Sequence, residues 1–174
     1  RNLQDQLFTK DLPLIRTVLS VPFQAVLLKG RSNYVCRYRL AATLELDTGF
    51  SRDEVRDLQR IQRWSEKTRS GDIAEVASVS ESSSLWSQVT STVDNCLGQD
   101  CPDYQECYLV KSRRKAQESE ILVVNHHLLC ADWALRDDGF GELLPAVEVV
   151  IVDEAHQLYD TASQFLGLSV SARQ

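Results

Sequence analysis

Four of the five cysteines are spaced as metal ligands: Cys36 stands alone, and Cys96, Cys101 and Cys107 crowd into twelve residues. Thiolates so close in sequence can converge on one centre once the fold returns the distant fourth. Four soft sulfur ligands select zinc or an iron-sulfur cluster, and spacing alone suits either. Cys130, between Leu129 and Ala131, reads instead as a small buried hydrophobe.

A second group able to do chemistry is Asp153-Glu154-Ala155-His156, directly after an apolar run from Val147 to Val152 broken only by Glu148. Acidic residues that end a buried strand of a parallel sheet sit at its carboxyl edge, where such folds bind ligands. Asp153 is placed to hold Mg²⁺ on a nucleotide's phosphates, and Glu154 to orient and polarise an attacking water. His156, two residues on, is placed to hydrogen-bond groups that sense the γ-phosphate.

The elements that must position these groups alternate in type. Leu3 to Lys10 reads as a helix stopped before Pro13, with a second helical stretch over Leu14 to Leu19. Ala25 to Leu28, closed by Gly30, reads as a strand buried on both faces. Ser51 and Glu54 form a capping box ahead of a helix with Val55, Leu58, Ile61 and Trp64 on one face, ending near Gly71. Gly71 to Ser84 is rich in serine and reads as a mobile connection, followed by a short helix at 85–89. Further helices are expected at 108–117 and 128–135, and strands at 121–124 and 147–152. Trp64, Trp86 and Trp133 are expected in the core. Strand-helix-strand alternation at both ends implies an α/β fold with a parallel sheet, and Cys36 to Cys107 a mostly helical insertion between two of its strands. The insertion's apolar residues look too few to define it without metal bonds.

With 174 residues and 43% hydrophobic content, the chain suits one sizeable domain or one domain with a large insertion. It begins at Arg1 and contains no methionine, so a piece of a longer polypeptide is expected. No apolar run approaches the roughly 20 residues that cross a bilayer, and the odd cysteine number argues against a disulfide framework, so an intracellular, membrane-free protein is expected. A net charge of -6 argues at first against nucleic acid. Its distribution argues otherwise. Lys29, Arg31, Arg37 and Arg39 surround Cys36 without an intervening carboxylate, and Lys111, Arg113, Arg114 and Lys115 follow Cys107. Converging ligands would draw both groups into one positive patch on an acidic body.

The segment Ile151-Val152-Asp153-Glu154-Ala155-His156 resembles the Walker B segment, motif II, of superfamily 2 helicases. Together with Leu27-Leu28-Lys29-Gly30-Arg31-Ser32-Asn33-Tyr34-Val35-Cys36, the cysteine trio and Val123-Val124-Asn125-His126, in that order, it resembles the iron-sulfur helicases of the XPD/DinG group. Gaps of four and then five residues within the trio are nearest the bacterial DinG and YoaA branch. The resemblance implies a partial RecA-like parallel sheet, with motor residues 1–30 and 119–174 around an iron-sulfur insertion at 31–118. It implies a [4Fe-4S] cluster on Cys36, Cys96, Cys101 and Cys107. In the full-length enzyme it implies Mg-ATP, with Asp153, Glu154 and His156 as catalytic residues and Asp153 as the magnesium ligand. It further implies 5′ to 3′ translocation on single-stranded and forked DNA in repair or replication, a replication or repair protein as partner, and a bacterial cytoplasmic, nucleoid-associated location. Arg1 to Leu7 would be the remnant of motif Ia, giving Asn2 and Gln4, with the basic residues above, a role in DNA contact. On the residues alone, the rival is a non-enzymatic, zinc-stabilised nucleic-acid-binding module.

The sequence contains no Gly-x-x-x-x-Gly-Lys-Ser/Thr loop to cradle β- and γ-phosphates. The isolated 174 residues are therefore expected to hydrolyse no ATP; Glu154-dependent turnover by the purified chain in a phosphate-release assay would contradict this.

Overall fold

Ladder hydrogen bonds join two segments remote in sequence, β1 (Ala25–Leu27) and β2 (Ile121–Val123), in the parallel sense expected of an α/β fold. Ala25 lies opposite Ile121, Val26 opposite Leu122 and Leu27 opposite Val123, and the Leu28 N–H extends the ladder to the Val123 carbonyl at 3.0 Å. The computed structural model describes residues 3–46, 49–137 and 143–167. Contacts divide the chain into two compact units, Arg1–Leu28 with Lys115–Gln174, and Lys29–Arg114.

In the first unit the described sheet has two strands, too narrow to enclose either face, so β1 is half-buried rather than covered on both sides as expected. Leu28 and Ala116 are buried with Leu144 in a small core against Leu122, Leu128 and Leu129. The third expected strand, 147–152, is not formed. Val149 and Ile151 are 74% and 91% exposed. An apolar run specifies a tendency to be covered, but a strand also needs a backbone partner, and none pairs with this run in the described sheet. Pro13 does not stop the first helix either. α1 (Leu3–Gln6) runs through a π-helical turn at Leu7–Asp11 into α2 (Leu12–Leu19), and Pro13 falls just past that wider turn, at the start of α2. α2 ends at Ser20, in left-handed conformation.

The second unit has a hydrophobic core of its own, larger than expected of a unit whose apolar residues looked too few to define it without metal bonds. α3 (Arg37–Leu44), α4 (Arg52–Ser65) and α5 (Leu85–Val89) contribute Leu40, Leu58, Ile61, Leu85, Trp86 and Val89, all buried in one cluster. α4 begins with the expected capping box: Ser51 Oγ accepts from the Glu54 N–H at 3.3 Å, and the Glu54 carboxylate accepts from the Ser51 N–H at 2.9 Å. Val55, at the helix start, is exposed, and the helix ends at Ser65, short of Gly71. Of the tryptophans, Trp86 is buried and Trp64 packs against the core, whereas Trp133, on a helix of the first unit, is 37% exposed.

The serine-rich segment after Gly71 is packed rather than a loose connection. Val76 and Val79 join the core, and the Glu75 carboxylate accepts hydrogen bonds from Trp64 Nε1, Thr68 Oγ1 and Ser70 Oγ. Gly71 is required at its start: its φ is +69°, and a Cβ there would lie 2.2 Å from Cγ of the Tyr108 ring. Tyr108, at the start of α6 (Tyr108–Gln117), is buried. Gly71→Ala combines overpacking with a strained backbone, so it is expected to destabilise this unit by about 2–4 kcal/mol, read as a shift in urea midpoint by tryptophan fluorescence. An unchanged midpoint would contradict the packing described.

Candidate functional site

Cys36 is held from both sides by backbone. Tyr34 bridges Asp72, Val35 bridges Thr90, the Val35 N–H donates to the Gly71 carbonyl at 2.9 Å, and the Cys36 N–H donates to the Val89 carbonyl at 2.8 Å. Cys36 is also the N-cap of α3. Cys101 and Cys107 each close a single 3₁₀ turn, Gly98–Asp100 and Tyr104–Glu106, with nearly identical extended backbone. Cys96 precedes the first turn, and its sulfur accepts from the Gly98 N–H at 3.5 Å. Cys107 stands directly before α6, so two of the four cysteines lie at helix N-termini.

All four cysteines are half-buried and none is in a disulfide, whereas Cys130 is fully buried as expected. Burial pushes the Cys36 thiol up. The Arg39 backbone N–H, facing the sulfur without closing a full cap hydrogen bond, offsets part of this, and negative charge on Cys101, Cys107 and Cys96 raises it further. The four sulfurs thus lie within electrostatic reach of one another. Among the described residues, no three His, Cys, Asp or Glu side chains close around the position of a single ion. The donor set suits a soft metal centre: four thiols, mutually repulsive as thiolates, and relieved by positive charge placed among them.

The basic residues divide. Burial and then the neighbouring Arg31 lower the Arg113 guanidinium from its ordinary value, while Cys107, Cys96 and Tyr104 oppose that shift. Arg31 and Arg113 therefore gather beside the cysteines. Most of the others are spent on the fold. Lys29 is 8% exposed and its ammonium lies 2.7 Å from Asp72. Lys111 pairs with Glu106 at 2.5 Å. Arg37 stacks 4.9 Å above the Tyr108 ring and donates to its hydroxyl at 2.8 Å, Arg39 donates to the Ser87 carbonyl, and Arg114 to Gln105. Lys115 is exposed, in the first unit. Gln4 is turned inward at 9% exposure, and Asn2 lies outside the described residues.

In the first unit, α7 (His126–Asp137) follows β2 and packs against α8 (Leu158–Leu166). Asn125 caps α7, its Oδ1 accepting from the Leu128 N–H at 2.8 Å. His126 Nε2 lies 2.9 Å from the Asp153 carbonyl, which brings the Asp153 loop to the carboxyl end of β2 although no strand precedes it. Asp153 Oδ1 accepts from the Glu154 N–H at 2.9 Å, and Glu154 Oε2 is 3.4 Å from His156 Nδ1. Glu154 has φ 49° and ψ 44°, a left-handed conformation that costs such a residue roughly 1–2 kcal/mol. Asp153, Glu154 and His156 are exposed, so the three can meet a phosphate ligand.

Two supporting residues escaped the reading of motifs. Tyr108 donates to the Ser65 carbonyl at 2.9 Å while accepting from Arg37. Asp132, buried on α7, accepts from the Leu143 and Leu144 N–H groups at 2.6 and 2.9 Å and from Arg136 Nε at 2.7 Å. The available signal for Asp132 was a carboxylate four residues before an arginine on a helix with Leu128, Leu129 and Cys130.

No protein-family model matches the chain. Over its whole length it is 45% identical to the ATP-dependent DNA helicase YoaA of Haemophilus influenzae. Over 99% of its length it is 48% identical to the protein of the same name from Escherichia coli. It spans 27% of each of those relatives. It is 30% identical over 95% of its length to a protein named 3′-5′ exonuclease DinG from Bacillus subtilis, of which it spans 17%. No helix among the described residues is long and apolar enough to cross a membrane.

Burial separates the thiols. In metal-free protein a small alkylating reagent is expected to label Cys36, Cys96, Cys101 and Cys107 and to spare Cys130 until denaturant is added, as read by peptide mass spectrometry. Early labelling of Cys130 would contradict its placement.

Proposed function

We propose that this chain, a segment of the YoaA and DinG type of helicase, belongs to an ATP-dependent DNA motor and carries its metal centre and its water-activating carboxylate. The observation that carries the reading is the presence, in one chain, of Asp153-Glu154-Ala155-His156 and of four half-buried thiols within electrostatic reach of one another. In the full-length enzyme Asp153 would hold magnesium on the ATP phosphates, Glu154 would polarise the attacking water, and His156, beside the Glu154 carboxylate, would sense the γ-phosphate. Hydrolysis would drive 5′ to 3′ movement on single-stranded DNA. Cys36, Cys96, Cys101 and Cys107 would hold a [4Fe-4S] cluster, whose contribution is to fix the shape of residues 96–107. Either centre would draw on the same four sulfurs, and the gaps of four and then five residues within the trio, like those of the iron-sulfur helicases that the chain resembles, favour a cluster over zinc. Arg31 and Arg113, beside the cysteines, would meet a DNA backbone near that centre. Strand separation at a fork would then occur where this unit meets the duplex.

Anaerobically purified full-length protein is expected to contain about four irons and four sulfides per chain. A colourless protein with a single zinc sinks the cluster. Cys101→Ser is expected to lose the iron and to speed hydrogen exchange at 96–107, with the α3, α4 and α5 core retaining its protection. Binding to single-stranded DNA should weaken steeply between about 50 and 200 mM salt, and salt-insensitive or absent binding removes the DNA assignment.

A further inference from the structure

Among the described residues two non-glycine positions have positive φ: Ser20, where α2 ends, and Glu154. Glutamate has no intrinsic preference for the left-handed region, which glycine and, less often, asparagine and aspartate visit. Something must hold it there. Two of the hydrogen bonds around it are local: Glu154 N–H to Asp153 Oδ1, and Gln157 N–H to the Glu154 carbonyl, both at 2.9 Å. A third comes from a remote element. His126 Nε2 lies 2.9 Å from the Asp153 carbonyl, and because a carbonyl only accepts, the ring must donate its Nε2–H.

His126 is itself well anchored. It is the first residue of α7, immediately after the Asn125 cap, whose carbonyl accepts from the Leu129 N–H at 3.1 Å and whose side chain accepts from Leu128. Its neighbour His127 packs edge-on against Phe165 of α8, the helix that follows the Asp153 loop, with ring centroids 6.1 Å apart. The donor therefore stands on an element fixed at one end to β2 and on one face to α8. The acceptor is the peptide between Asp153 and Glu154.

We propose that His126 is a positioning residue for hydrolysis: by binding the Asp153 carbonyl it orients that peptide so that Glu154 is presented in its left-handed conformation. This rests on the motor reading above. Without the donor, Glu154 relaxes toward the right-handed or extended backbone it would otherwise prefer, and its carboxylate leaves the position from which it polarises water. Magnesium and nucleotide affinity, which draw on other contacts, change less, so the loss falls on kcat rather than on KM.

The test uses the full-length protein with His126→Leu, of similar bulk but without a donor, and His126→Gln, whose side-chain N–H can reach the same carbonyl. Hydrogen exchange at amides 153–158, read without nucleotide, should speed up in the Leu variant and return toward normal in the Gln variant. DNA-stimulated kcat should fall on the order of tenfold to a hundredfold in the Leu variant with the KM for ATP little changed, and recover in the Gln variant. Equal exchange in all three proteins, equal losses in both variants, or a loss confined to KM overturns the assignment. If His126→Leu fails to fold, His126→Ala takes its place: faster exchange and lower kcat in the Ala variant but not in the Gln variant support the assignment, and equal values in the two overturn it. An unsubstituted protein without ATP hydrolysis would remove the motor reading, while exchange still decides the role of His126.

Discussion

The cysteine-bearing unit depends most on one buried side chain, Tyr108. Its ring lies under the Arg37 guanidinium and against Gly71, and its hydroxyl accepts from Arg37 while donating to Ser65. Arg37 directly follows Cys36, Ser65 ends α4, and Tyr108 directly follows Cys107. One residue thus ties the lone cysteine, the last of the trio and the long amphipathic helix into one arrangement. Both hydroxyl roles are satisfied, so little is lost in burying it.

That tie has an electrostatic consequence. Bringing Cys36 to the trio places like charges together as soon as the thiols ionise, an arrangement that relaxes only with a cation among them. The same folding draws Arg31 and Arg113 together beside the sulfurs. Among the other basic residues, Lys29 and Lys111 pair with carboxylates, and Arg37 with the Tyr108 ring and hydroxyl. The unit also has a core of its own from α3, α4 and α5, against which Cys107 packs.

On the other unit the control is backbone geometry. Asp132, buried, gathers two N–H groups and a guanidinium, and so fixes residues 143–144 against α7. From there the chain runs to Asp153, where His126 meets the carbonyl. Support at both places comes from one helix, which explains how an exposed loop can keep a residue in a strained conformation.

The order of residues alone determined the local elements: the Ser51 and Glu54 box, the helices after Leu85 and Cys107, and the two short apolar runs that become β1 and β2. These follow from propensity, capping and periodicity, which act over a few residues. It also marked the cysteines and Asp153-Glu154 as reactive types, because soft donors and paired carboxylates are chemically distinctive wherever they stand. Tertiary structure alone decided that Pro13 lies within a continuous helical stretch, that residues 71–84 are packed, that the run after Val147 stays exposed, and that most of the basic residues point inward or pair. The packing of 71–84 and the pairing of Lys29 depend on partners distant in sequence: a ring against a glycine, a carboxylate opposite a lysine. Periodicity reports a segment's need for a partner, and only the folded chain supplies one.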